Sequence, residues 1–177
     1  MSVATTPSKI ALGVGTNLYN LSFINNSTTN TSRPSSVPLG TRDGVPTNAI
    51  ASQVGYVYLA SDTSTAEIAI LDTSALPYTQ IGLYDAPGNS GADTVFVAGN
   101  TGYMTSGNSF QIFDLSAKTG TRSQIGSSVT LANNANGMVV VGSYAYVSLD
   151  DSTIQLQIID ISTPASASVV GDAQIES

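Results

Sequence analysis

The sequence predicts an all-β chain: a small β-propeller of about four blades, each a four-stranded antiparallel sheet. Three observations carry this expectation. A short strand closed by a turn recurs along the chain, as "IAILDTS" at 68–74, "FQIFDLS" at 110–116 and "LQIIDIS" at 156–162, with a worn copy "LSFINNS" at 21–27. An apolar residue followed by glycine recurs at Gly40, Gly82, Gly126 and Gly171, with separations of 42, 44 and 45 residues. Finally, no stretch has apolar residues spaced at the 3.6-residue period of an amphipathic helix.

The residues that close the recurring strand, Asn25, Asp72, Asp114 and Asp160, are 47, 42 and 46 residues apart. Two independent markers therefore agree on a period of roughly 44, in the range of a four-stranded propeller blade. The whole chain, 1–177, reads as one repeat domain with repeats near 9–42, 48–84, 92–129 and 135–173, the first of them degenerate.

Each repeat divides into four strands. The last reads "GMVVVG", "YAYVSLD", "IQLQIIDIS" and "SASVVGDA". The one before it reads "DTVFVAG", "TGYMTSG", "SFQIFDLS" and "RSQIGSSV", and its predecessor "NAIASQV", "GYVYLASD", "AEIAILDTS" and "YTQIGLYD". These segments are β-branched and aromatic and are bounded by Gly, Asn, Asp and Pro, as strands require. Asn136-Gly137 and Asp43-Gly44 suit tight reversals, and Pro87-Gly88 marks another bend.

In the first repeat, "KIALGVG", "NLYNLSFINN" and "SSVPLGT" can serve as second, third and fourth strands, with nothing before Lys9 to act as the first. The tail "DAQIES" stands where a new first strand would begin. The expectation is that it pairs with the N-terminal repeat and closes the ring, removing two open sheet edges. The alternative is that other copies or further sequence complete the ring.

Composition narrows the function. The chain has 177 residues, enough to bury roughly 70% of the surface its unfolded form exposes. Hydrophobic residues are 41% of it, which excludes a disordered tail, and no apolar run approaches the ~20 residues that cross a bilayer. Charged residues are only 10%, against about 25% in an ordinary soluble domain, and the net charge is −7. Five scattered basic residues cannot form a phosphate-binding patch, which argues against nucleic acid and anionic membrane as partners. The absence of Cys and His removes zinc ribbons, Cys nucleophiles and Ser-His-Asp triads.

The last repeat carries a family resemblance. Its aromatic pair Tyr144 and Tyr146, the "LQIIDIS" strand, Pro164 and the closing Val170-Gly171 resemble the LVIVD repeat, a propeller-type repeat of bacterial and archaeal surface or exported proteins. The resemblance extends in weaker form over about three quarters of the chain. It implies a propeller and cell-envelope association, and it implies no reaction, since the family shares no catalytic residues.

Candidate sites follow from the same periodicity. Asp72, Asp114 and Asp160 could form a ring of carboxylates for a cation, but their shared place after each third strand reads as turn capping, the side chain accepting from amides just downstream. Tyr56, Tyr58, Tyr103, Tyr144 and Tyr146 could line a carbohydrate surface, and alternation along strands reads as blade-to-blade packing. Asp62, Asp150 and Asp151 are the weak candidates for a metal, in hairpin loops where the intervening repeat has Gly107; two carboxylates fall short of calcium's six to eight oxygens. Glu67 and Glu176 stand in no paired-carboxylate motif. Asn20, Asn25, Asn26 and Asn30 begin formal N-glycosylation triplets, which read as a polar loop in so Asn/Ser/Thr-rich a chain.

The leading expectation is a non-catalytic extracellular or cell-surface module for adhesion or for binding a cell-surface protein or glycan, without cofactor or metal and with self-association open. The N-terminus lacks a signal peptide's basic and apolar regions, so a mature domain without its export signal or anchor is expected. One alternative is the head of a pilin-like or filament subunit. The other is a calcium-assisted hydrolase working from a propeller face.

Overall fold

The computed structural model describes residues 2–6, 9–14, 17–22, 36–41, 47–74, 78–88 and 90–174. The first sheet is β1 (Ser2–Thr6), β2 (Lys9–Val14), β3 (Asn17–Ser22) and β4 (Ser36–Thr41), paired in that order. The second holds β5 (Thr47–Gln53), β6 (Tyr56–Ser61), β7 (Ile68–Asp72) and β8 (Thr79–Tyr84). The third begins with β9 (Thr94–Ala98), β10 (Thr101–Ser106) and β11 (Ser109–Asp114). Beyond these, β12 (Gly120–Arg122) leaves the sheet and β13 (Val129–Thr130) completes it. The fourth is β14 (Ala135–Val141), β15 (Tyr144–Leu149), β16 (Leu156–Asp160) and β17 (Ser168–Ala173), with a 3-10 turn, Pro164–Ser166, before its last strand.

In the second, third and fourth sheets the first two strands join through a two-residue turn. This turn holds a glycine at positive φ: Gly55 at 83°, Gly99 at 59° and Gly142 at 59°. A side chain there would be strained, so the tight hairpin depends on these glycines. The first strands stand side by side in chain order, β1 against β5, β5 against β9 and β9 against β14, which stacks the four sheets as consecutive blades.

The blades meet through apolar faces. One face of the second blade, with Tyr58, Ile68 and Ile70, packs on Val95, Met104 and Phe113 of the third. The other face of the third blade, with Tyr103, Phe110 and Ile112, packs on Ala145, Val147 and Ile159 of the fourth. Period-2 alternation explains this: both faces of an inner blade are covered, so both sets of alternate residues are apolar. Tyr84 stacks on Phe113 with ring centroids 4.6 Å apart, and its hydroxyl donates to Gln111 Oε1 across the blade boundary at 2.8 Å. The equivalent Gln157 in the next blade accepts from the Ala132 amide at 2.9 Å.

Three details differ from the sequence expectation. Ser2–Thr6 forms a first strand ahead of Lys9, in register with Lys9–Gly13, so the first repeat has all four strands and begins before residue 9. The proposed closure by the C-terminal segment does not occur among the described residues: Asp172 and Ala173 belong to β17, which pairs with β16, and no ladder links the last sheet to the first. The segment "RSQIGSSV" is not one continuous fourth strand. Gly120–Arg122 adds to the second blade in parallel with Gly82–Tyr84, Gln124 makes a single bridge to Phe113, and Val129–Thr130 pairs with Ser109 and Phe110. Gly82 permits the exchange, because a Cβ there would collide with the Lys118 carbonyl. Asn25, Pro34 and Glu176 lie outside the described residues.

Candidate functional site

Two sets of aspartates lie at opposite ends of the blades and do different things. At the exit of each third strand the carboxylate turns back on its own chain. The amides of Ser74, Ser116 and Ser162 donate to Asp72, Asp114 and Asp160 Oδ1, each at 2.8 Å. The Ser116 hydroxyl adds a bond to Asp114 Oδ2 at 2.7 Å. These bonds favour the charged carboxylate and hold all three groups below the ordinary aspartate range. A cation shared by the three has no support in this geometry, since each carboxylate is engaged in its own turn.

At the other end, where second strands turn into third strands, loops from three blades surround an open polar cavity of about 510 Å³. Asp62 reaches it from the β6–β7 loop and Asp150 from the β15–β16 loop, while Asp93 enters just ahead of β9. Ser90, Asn134 and Asn136 complete the polar lining. Backbone bonds tie these loops together. Ala92 N donates to Ser61 O at 3.0 Å, Ala135 N to Gly107 O at 2.9 Å and Asp150 N to Asn134 O at 2.8 Å. Asp93 Oδ2 accepts from the Gly107 amide at 2.6 Å, which fixes its carboxylate against the neighbouring hairpin. Gly91 also lines the cavity, and a Cβ on it would run into the Asp62 backbone.

The three acidic residues singled out from the sequence therefore separate. Asp62 and Asp150 share the cavity. Asp151 instead caps its own loop, accepting from Thr153 N at 2.6 Å, Thr153 Oγ1 at 2.7 Å, Ile154 N at 3.0 Å and Asn133 Nδ2 at 3.1 Å. That set, led by the Ile154 amide, pulls its pKa far below the usual range. Among the described residues no three acidic side chains are placed to share a metal ion.

Asp93 is the cavity carboxylate that the sequence reading missed. Its signal was present: Asn48, Asp93 and Asn136 stand at similar phase, 45 and 43 residues apart, each at the entrance to a first strand. Asn48 makes the matching junction in the blade before, its Nδ2 donating to Ala92 O at 2.9 Å. The tyrosines lie elsewhere. Tyr58 and Tyr103 are buried between blades, and burial, with the neighbouring Tyr56, pushes the Tyr58 phenol up to about 12. Glu67 is wholly buried, its Oε2 accepting from the Ala86 amide at 2.8 Å while Oε1 has no partner among the described residues.

Solved structures share this architecture at low sequence identity. The chain superposes on a candidate 6-phosphogluconolactonase from Bacteroides fragilis with a TM-score of 0.72 and 13% identity, covering 98% of this chain and 54% of that one. For the WD40 domain of Pan2 from Neurospora crassa the TM-score is 0.62 at 14% identity, covering 99% and 53%. For the computationally designed protein Ika4 it is 0.64 at 10% identity, covering 90% and 89%. The chain thus spans little more than half the length of two of these three, and identities this low speak to fold alone. No curated protein matches the sequence. The fold is all-β and propeller-like, and residues 132–174, which form the fourth blade, match the model of the LVIVD repeat.

Proposed function

We propose that the protein is a non-catalytic interaction module of the cell surface that receives a polar, hydroxyl-rich ligand, a glycan or a polar protein loop, in the cavity between its second, third and fourth blades. The observation that carries this reading is the cavity itself: three blades contribute carboxylate, amide and hydroxyl groups to one opening of about 510 Å³. Such a lining accepts hydrogen bonds in excess, which suits a partner that brings many hydroxyl donors. Propeller loops at one ring face commonly carry binding, because the sheets beneath hold them in place.

The surface location rests on the kind of repeat and on a composition low in charge and rich in Ser, Thr and Asn. A non-catalytic role rests on the chemistry available. With no His, proton transfer would need two carboxylates of split affinity. Asp93, whose Oδ2 accepts from the Gly107 amide, is fixed in place at the cavity as a hydrogen-bond acceptor.

The test is a glycan array together with pull-downs on envelope components, followed by titration of any hit with an Asp62→Ala/Asp150→Ala variant. Binding that the double variant abolishes supports the reading. Binding that survives it unchanged moves the site elsewhere and ends this assignment.

A further inference from the structure

The fourth blade presents a face that the second and third blades keep buried. In the second blade Tyr58, Ile68 and Ile70 are sealed against the third, and in the third Tyr103, Phe110 and Ile112 are sealed against the fourth. By register the same positions in the fourth blade are Tyr146, Leu156 and Ile158. All three are only half-buried. Beside them Val139 is 47% exposed, Val141 60% and Tyr144 42%. These residues have the apolar character of an inter-blade face, yet among the described residues no blade covers them.

The glycine markers give the same answer independently. Gly82 is crossed by the Lys118–Gly120 backbone of the third blade, and Gly126 by Ala165 of the fourth. In each case the crossing segment is the link between the third and fourth strands of the next blade. Gly171 holds the equivalent place in the fourth blade and has only its own Ile158 side chain in reach, at 3.7 Å. Its open side is shaped for a further blade's crossing segment.

We propose that this face is an interface with a second copy of the chain, whose first blade packs on the fourth blade of its partner and vice versa, so that two four-blade arcs close one ring. The sequence pattern and register of the first sheet match it. By register Val3, Ile10, Leu12, Tyr19 and Leu21 share one face of the first sheet. These are the positions that Ile50, Val57, Leu59, Ala69 and Leu71 hold in the second blade, on the face turned to the blade before. The four sheets superpose on about half of the Pan2 and phosphogluconolactonase chains, at 53% and 54% of their lengths, and on 89% of the Ika4 chain. Joining unlike faces head to tail makes a heterologous contact, and it ends in a closed assembly only when the rotation closes. Two such arcs give eight blades, within the usual range for propellers.

The experiment is light scattering coupled to size exclusion, on the 177-residue chain and on two variants, across a wide concentration range. The expected mass is twice the 18.1 kDa of one chain. Val139→Glu/Val141→Glu charges the exposed face, and Gly171→Val fills the crossing point, where an added Cβ meets nothing closer than ordinary contact within its own chain. Both are expected at 18.1 kDa with unchanged circular dichroism, while Val54→Glu, in an exposed hairpin turn, stays dimeric. A chain that is monomeric at every concentration, a dimer indifferent to both variants, or open-ended polymers would each overturn the proposal. If the variants unfold, cross-linking of the unaltered chain decides, and links confined to pairs other than first blade to fourth blade reject it.

Discussion

The boundary between the second and third blades and the loop end with the cavity are built from the same repeats, yet they obey different rules. From this boundary to the next, equivalent positions carry equivalent residues: Tyr58 and Ile70 face the third blade as Tyr103 and Ile112 face the fourth. At the cavity, equivalent positions diverge: the loop residue is Asp62 in one blade, Gly107 in the next and Asp150 in the last. Packing between identical sheets allows one solution, so the sequence repeats there. A ligand meets every blade from a different direction, so nothing holds the loops alike. What is periodic in this chain is architecture, and what departs from the period at the rim is where recognition belongs.

The largest expected effect tests the boundary directly. Phe113 is wholly buried, stacks on Tyr84 and lies across the bare backbone of Gly102. Phe113→Ala should cost about 3–5 kcal/mol in chemical denaturation, the range for a large aromatic removed from a core. A loss below about 1 kcal/mol would mean that the blades are held together elsewhere.

Next comes the exchanged strand. Gly82→Val puts a side chain where the Lys118 carbonyl now sits, so β12 must leave the second blade. Overpacking of this kind costs about 1–3 kcal/mol. Hydrogen exchange at Gly120–Arg122 should accelerate, with the β6–β7 pairing untouched. Equal loosening of the whole sheet would show that β12 is part of the blade and not a clasp on it.

A smaller effect separates the two ends by pH. Asp72, Asp114, Asp151 and Asp160 are all held below the unperturbed aspartate value of 3.8. A carboxylate with a lowered folded pKa stabilises the fold above the unfolded value, and that contribution is lost as pH falls through the folded one. The melting temperature should therefore lose nothing from these groups above pH 3.8 and fall as the solution is acidified below it. Asp151→Ala, which removes an acceptor of four bonds from three residues, should flatten that acid limb more than Asp160→Ala, whose carboxylate is held by Ser162 alone. Equal slopes for the two variants would contradict this ranking.

How much of this was legible in the sequence follows the same division. The strands β7, β11 and β16 are visible because each must bury alternate residues and then reverse at an Asp, so local chemistry and packing agree. β1 was missed because "SVATT" is short and barely apolar, and its place depends on pairing with Lys9–Gly13. The displacement of β12 was invisible because it depends on a missing Cβ some 38 residues earlier, at Gly82 against Gly120. Asp93 escaped notice for a related reason. A lone aspartate before a strand has no chemistry of its own until the fold brings Asp62 and Asp150 to it.

The smallest expected effect is also the most discriminating, because it removes a polar atom from the boundary without touching its packing. The Tyr58 hydroxyl is buried and has no hydrogen-bond partner among the described residues. Burial without a partner works against folding, so Tyr58→Phe should leave stability unchanged or raise it, by no more than about 1–3 kcal/mol. The ring stays, and with it the contact to the third blade. Tyr103 differs: a hydroxyl hydrogen bond to Thr101 partly offsets its burial, so Tyr103→Phe should gain less. Paired denaturation curves for the two variants decide the matter. A clear loss for Tyr58→Phe would mean that its hydroxyl is satisfied, by an internal water or by a group on a neighbouring blade. The boundary would then owe part of its strength to polarity, and the contrast with the rim would narrow.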